Sequence, residues 1–283
     1  MWDRRTLLLA AILFITLSYK GTAVEAKLLD MAPNAVDVIY TGCREQAMEK
    51  FIHSGLLGQE LNHTEEFQKE WSANTKCDKL IPGGVKEHTT ALGVFVNAPS
   101  ESDFIRIFND AVATTGANIS TYTDDFHFKS LYFLLMDAIT LLNPKTCKTL
   151  YYLSEENYAP KKGSEVRFGK FIIVDPSYSE YLKDNDMDGL FLFNINSCFY
   201  ANLGDNICRK DDSALLSTTE VFTVKDVKKT TDKNDAIYTE IFLNHSRLDS
   251  MNDCDSFSRS PADVSSQWLV SVLVALSLFF FSC

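Results

Sequence analysis

The sequence predicts an α+β fold, helical first and strand-rich afterwards, and two observations carry that expectation. The apolar spacing changes period near Cys147, and the segments beyond it are short, β-branched or aromatic, and separated by Gly, Pro, Asp and Asn. Helices followed by consecutive strands belong to an α+β domain rather than to alternating βαβ units. Ahead of Cys147, Ala47, Met48, Phe51 and Ile52 form the apolar face of a first helix. Phe67 to Trp71 suggests a second and Asp103 to Ala113 a third. The longest helical candidate runs from Phe126 to Leu142; Leu131, Leu134, Leu135, Ala138, Ile139 and Leu142 recur at three- and four-residue steps, and Pro144 ends it. Its nearly all-round apolar character predicts a helix buried between other elements. Strands are expected at Thr149–Leu153, Val166–Val174, Leu190–Asn196, Glu220–Val227 and Ala236–Leu243.

Both ends differ from this middle. MWDRR is short and basic, Leu7 to Leu17 is almost purely apolar, and Val24 and Ala26 supply the small residues of a cleavage site after Ala26. That order predicts a signal peptide over residues 1–26. At the other end, a polar stretch rich in small residues precedes an apolar run from Trp268 to Cys283 with no Lys or Arg after it. Small site, polar spacer and greasy tail form the layout of a glycosylphosphatidylinositol (GPI) attachment signal. Ser258 or Ser260 is the expected anchor residue, and residues 259–283 would be removed. The expected product is one ectodomain over residues 27–258, mainly helical to 147 and mainly strand over 148–254, on the outer face of the plasma membrane. A secreted or single-pass membrane form is the lesser alternative.

The 283 residues carry a net charge of −11. No basic face or arginine-rich motif stands out, which argues against a nucleic-acid partner. Asn62, Asn118 and Asn244 each open a glycosylation triplet. With Cys283 removed, Cys43, Cys77, Cys147, Cys198, Cys208 and Cys254 remain, an even set suited to three disulfides whose pairing the spacing leaves open. No two of them stand two to four residues apart, so a zinc site is not expected. Asp184, Asp186, Asp188 and Gly189 mimic the start of a calcium loop. Its twelfth position falls on Ile195, where a bidentate Glu is required, so a solvated turn is the better reading. The five histidines show no ligand spacing, and His127 on the apolar helix is expected to be packed or hydrogen-bonded.

Seven segments, in order, resemble the vertebrate arginine-specific ecto-ADP-ribosyltransferases. They are DMAPNAVDVIYTGC at 30–43, HTTALGVFV at 88–96, FNDAV at 108–112, the long helical run, VRFGKF at 166–171, INSCFYANL at 195–203 and EVFTV at 220–224. The resemblance implies a helical N-terminal half packed on a mainly antiparallel two-sheet core of the NAD-binding type. It also implies the disulfides Cys43–Cys254 and Cys147–Cys198, which leaves Cys77–Cys208 as the third.

Family enzymes use an arginine to clamp dinucleotide phosphate, a serine to orient the ribose, and a glutamate to stabilise the oxocarbenium character that develops as nicotinamide leaves. This chain departs from the pattern at each point. Aligning CKTLYYL with the family's first motif puts Tyr152 at the arginine position and Leu153 at a glycine. Ile173 occupies the serine position, and Ser213 stands where the essential carboxylate belongs, two residues after Asp211. A phenol does not replace a planar cationic fork, and isoleucine has no hydroxyl. The expectation is therefore a surface protein of this family that has lost transfer, needs no cofactor or metal, and recognises an extracellular protein. The alternative retains NAD as co-substrate and uses Asp211 or Asp212 for arginine ADP-ribosylation or NAD hydrolysis.

Overall fold

The computed structural model describes residues 26–98, 103–179, 186–208 and 212–250. Both terminal processing segments, Ser258, Ser260, Asp184, Asp211 and Cys254 lie outside the described residues. Seven α-helices among the described residues precede Cys147: α1 Arg44–Met48, α2 Leu56–His63, α3 Glu65–Ala73, α4 Lys86–Asn97, α5 Asp103–Thr114, α6 Ile119–Asp125 and α7 Lys129–Leu142. One π-helical turn, Glu49–His53, extends α1. No described helix is long and apolar enough to cross a membrane.

The long helix α7 starts three residues later than its apolar pattern suggests. The carboxylate of Glu60 accepts the N–H groups of Lys129 at 2.8 Å and Ser130 at 2.9 Å, satisfying two donors that a helix start leaves open. A cap supplied from another helix has no local sequence signature. Burial pushes the Glu60 carboxyl up to about 7, against those same hydrogen bonds. Leu131 to Ile139 are buried without interruption, as a central helix requires.

After α7 come β2 Lys148–Ser154, β3 Tyr158–Ala159, β4 Glu165–Val166, β5 Ile172–Val174, β6 Phe191–Ser197, β7 Tyr200–Asn202, β8 Ala214–Leu216, β9 Glu220–Thr231 and β10 Ile237–Leu248. The main sheet has the order β2-β6-β10-β9-β4, antiparallel except where β6 runs parallel to β10. A second, antiparallel sheet has the order β5-β8-β7. A two-residue parallel pair joins β1, Lys27–Leu28, to β3. The fold is thus α+β with two principal sheets.

The expected continuous strand from Val166 to Val174 is instead divided between those sheets. Gly169 adopts φ +64°, a left-handed conformation that glycine tolerates, and an added Cβ there would stand 2.5 Å from the Ala32 side chain. The chain therefore turns at Gly169, leaves β4 on the main sheet and begins β5 on the other.

Residues 30–43 thread between the helices and the sheets. Buried Arg167 donates to Asp37 at 2.9 Å and to the carbonyls of Met31 and Ala32 at 3.0 and 3.1 Å. Tyr132 on α7 donates to the Val36 carbonyl at 3.0 Å, as does Thr218 from beyond β8. Losing one partner of such a buried ion pair strands the other charge, so these contacts hold the segment in a single place. Disulfides join Cys77 to Cys208 and Cys147 to Cys198. Cys43 is also disulfide-bonded.

Candidate functional site

The two principal sheets meet where Tyr151 and Asp175 exchange backbone hydrogen bonds at 2.8 and 2.9 Å. This joint gathers the three positions singled out by sequence. Tyr152 follows the bridge on β2, while Ile173 precedes it by two residues on β5. On β8, Ala214 pairs with Val174, which leaves Ser213 one step beyond that pair. Antiparallel register is what makes neighbours of residues so far apart in the chain.

The chemistry at the joint is largely apolar. Side chains alternate along β2, and Tyr152 points inward, its ring centroid 6.0 Å from that of Phe168 and 5.8 Å from that of Phe193. Ile173 is half-buried and packs against the helical core. A cleft of about 370 Å³ opens beside them, lined by Phe95, Val96, Ala98, Ile105, Asn109, Tyr152, Lys170, Phe171, Ile172 and Ile173. Among the described residues of that lining, Lys170 is the only charged one and no carboxylate is present. Asp212 is exposed.

Glu220, the carboxylate that opens β9, has a geometry that supports a framework role. It is fully buried and accepts from Ser197 Oγ at 2.6 Å, from the N–H groups of Cys198 and Phe199 at 2.8 and 3.2 Å, and contacts His245 Nδ1 at 2.7 Å. Burial pushes this carboxyl upward, while the donors oppose the shift. With its oxygens so occupied, Glu220 fastens β9 to the turn after β6 and to β10. A second buried cluster behaves in the same way. His88 Nδ1 accepts the Val85 N–H at 3.0 Å, so its Nε2 carries the proton that meets Asp137 at 2.9 Å. Arg44 Nε contacts both Asp137 oxygens at 2.8 and 2.9 Å. Burial opposes ionisation of Asp137, but the His88 and Arg44 hydrogen bonds outweigh it and hold the carboxyl below its ordinary range.

Lys170 and Asn109 were not singled out by sequence. Asn109 bridges the backbone of Phe171, accepting its N–H at 3.2 Å and donating to its carbonyl at 3.4 Å, and thereby fastens α5 to β5 at the cleft. Lys170 reaches the cleft because the turn at Gly169 carries it there, a consequence of one backbone angle. The described part of the DxDxDG segment, Asp186 to Gly189, forms a turn: Asp188 Oδ1 accepts the Ile237 N–H at 3.1 Å, and Gly189 at φ +75° donates to the Ile237 carbonyl at 2.8 Å. His127 is exposed, its ring centroid 4.8 Å from that of His63. The packed or hydrogen-bonded setting expected for His127 is therefore corrected: it precedes α7 instead of lying on the helix's buried face. Asn62, Asn118 and Asn244 are exposed on α2, ahead of α6 and on β10, respectively.

Comparison with known proteins places the whole described chain in one context. The sequence profile of the family described as NAD:arginine ADP-ribosyltransferase matches residues 29–246. The chain is 30% identical over 239 residues to T-cell ecto-ADP-ribosyltransferase 2 of Mus musculus, covering 81% of this chain and 77% of that protein. It is 29% identical over 233 residues to Ecto-ADP-ribosyltransferase 3 of Mus musculus, covering 77% of this chain but only 60% of that longer protein. Among solved structures, a mutant of the eucaryotic mono-ADP-ribosyltransferase ART2.2 in complex with NADH superposes with a TM-score of 0.64 at 26% identity. That match covers 81% of this chain and 98% of the other. A further ART2.2 mutant, in complex with NAD, gives a TM-score of 0.63.

Proposed function

The chain belongs to the NAD:arginine ADP-ribosyltransferase family, and from that premise we propose that it is a cell-surface member that keeps the family scaffold and has lost transfer chemistry. The observation that carries this reading is the content of the sheet joint. Tyr152 packs edge-on against Phe168 and tilted against Phe193, Ile173 presents a hydrocarbon side chain, and no carboxylate lines the cleft among the described residues. Dinucleotide phosphates need a cationic partner, and a developing oxocarbenium ion needs a negative one. Lys170 alone is a compact point charge without the planar bidentate fork of arginine. Loss of a well-placed electrostatic stabiliser costs a factor of about 10² to 10³ in turnover, and here both the clamp and the carboxylate are replaced.

The proposed setting is the outer face of the plasma membrane, attached through a lipid at Ser258 or Ser260. The ordered signals at both ends of the sequence and the ecto-transferase names of its relatives support this setting. What remains for the ectodomain is recognition of an extracellular partner, with arginine ADP-ribosylation or NAD hydrolysis through Asp211 or Asp212 as the competing reading.

The test uses intact cells expressing the full chain, compared with the same cells without it. Labelled NAD and agmatine are added, and both ADP-ribosylated agmatine and free ADP-ribose are measured. No increment in either product is the expected result. An increment that disappears in Asp212→Asn would overturn the silent reading in favour of an altered enzyme. Phosphatidylinositol-specific phospholipase is expected to release the chain from those cells; retention would instead indicate a membrane-spanning tail.

A further inference from the structure

We propose that His63 and His127 together form a surface site for a divalent transition ion of the zinc or copper type, bridging the end of α2 to the entry of α7. No residue of the sheet joint takes part, and the inference does not depend on the reading of that joint. Both imidazoles are exposed, with ring centroids 4.8 Å apart and ring planes tilted by 56°. A metal–nitrogen bond of about 2.0–2.1 Å puts each ring centroid about 3.2 Å from a shared ion. Two such rings, at angles between square and tetrahedral, stand about 4.5–5.2 Å apart. The two imidazoles therefore already have the spacing that a shared ion imposes, and their tilt excludes flat stacking.

Two buried fixtures set this spacing. His127 lies between Phe126 and Phe128, both buried, which pins its backbone and leaves the imidazole outside. His63 ends α2 one turn after Glu60, whose carboxylate accepts the Lys129 and Ser130 N–H groups at 2.8 and 2.9 Å. The end of α2 and the start of α7 are thus fastened to each other beside the pair. Ligands held in place beforehand lose little affinity to ordering when the ion binds.

The donor atoms choose the ion. Imidazole nitrogen suits zinc, copper and nickel, whereas magnesium and calcium take oxygen ligands. Among the described residues no third His, Cys, Asp or Glu completes the set, so water would fill the remaining positions, as in other open sites. The choice does not turn on net charge. Glu65, Glu66, Asp124 and Asp125 are exposed on the same two stretches of chain, while half-buried Lys129 donates to the Phe126 carbonyl and lies over the Tyr122 ring.

The experiment uses the full chain, purified in detergent through an affinity tag free of histidine and stripped with a chelator. Zinc chloride is expected to raise the thermal midpoint saturably, because an ion bound by the native state alone stabilises it. Magnesium chloride at the same concentrations should not. His63→Ala and His127→Ala should each raise the half-saturating zinc concentration at least about tenfold, the cost of losing even an outer-shell partner. Their metal-free midpoints should match that of the parent chain, because both side chains are exposed. His53→Ala should retain the full response, which separates this pair from zinc held by scattered histidines. With copper(II) in place of zinc, electron paramagnetic resonance should show nitrogen hyperfine splitting from two imidazoles, reduced to one in either variant of the pair. No saturable shift, an equal shift with magnesium, or an unchanged zinc response in either variant of the pair would overturn the inference.

Discussion

The buried polar groups of the framework and the side chains of the sheet joint differ in how they are partnered. Around the threaded N-terminal segment, buried carboxylates are paired: Asp37 with buried Arg167, and Asp137 with half-exposed Arg44 while neutral His88 donates to it. At the joint, where the family resemblance places an arginine, a serine and a glutamate, the chain carries a tyrosine, an isoleucine and a serine. A buried ion pair cannot lose one member without stranding the other, so such a pair is tied to the stability of the fold. A catalytic charge at the lip of a cleft has no structural partner that its replacement would strand. The contrast teaches that a scaffold and its chemistry are held by separate sets of residues.

The strongest way to break this comparison is to unpair the framework. Asp37→Ala leaves the Arg167 guanidinium buried without its carboxylate, and a loss of about 3–5 kcal/mol is expected in chemical denaturation. A loss under 1 kcal/mol would show that the pair is not what holds the segment.

Glu60 supplies the next effect, with a defined sign. Its carboxyl titrates near 7 in the fold against an ordinary value of 4.5, so between these values the native state holds a proton that the unfolded chain has released. Stability from this group is full below pH 4.5, falls as pH rises toward 7, and then levels off at a total loss on the order of 3 kcal/mol. Glu60→Gln should flatten that slope in unfolding curves taken from pH 5 to 8; an unchanged slope would remove Glu60 as its source.

Glu220→Gln comes third. It turns an acceptor toward donors it can no longer all satisfy, and a cost of about 1–3 kcal/mol is expected, read as a lower thermal midpoint.

The smallest effects belong to the joint. Ile173→Ser at a half-buried position is expected to cost only about 1 kcal/mol. Tyr152→Arg should tighten NAD binding in equilibrium titration while turnover stays at background, because a clamp returns without a carboxylate. Turnover in that single variant would mean that another carboxylate already serves the site.

Much of the fold was legible because it rests on local patterns. The helical period before Cys147, the apolar run of α7 and the β-branched segments beyond reflect how side chains alternate or recur along a single element. The placing of Tyr152, Ile173 and Ser213 at the family's reactive positions rests on the order of short motifs alone. What could not be read came from distant partners or from a single backbone angle. The start of α7 depends on Glu60, which precedes it by 69 residues. The division of the expected strand at 166–174 depends on Gly169 turning against Ala32, and that turn delivers Lys170 to the cleft.

Sequence by itself therefore determined the class of fold and the family, because these follow from side-chain chemistry and short-range periodicity. Tertiary structure alone decided the surroundings of the joint: an edge-on and tilted aromatic group, a largely apolar cleft and Lys170 at its edge. Those features arise where two sheets and two helices converge, and they exist only once residues remote in the chain have been brought into contact.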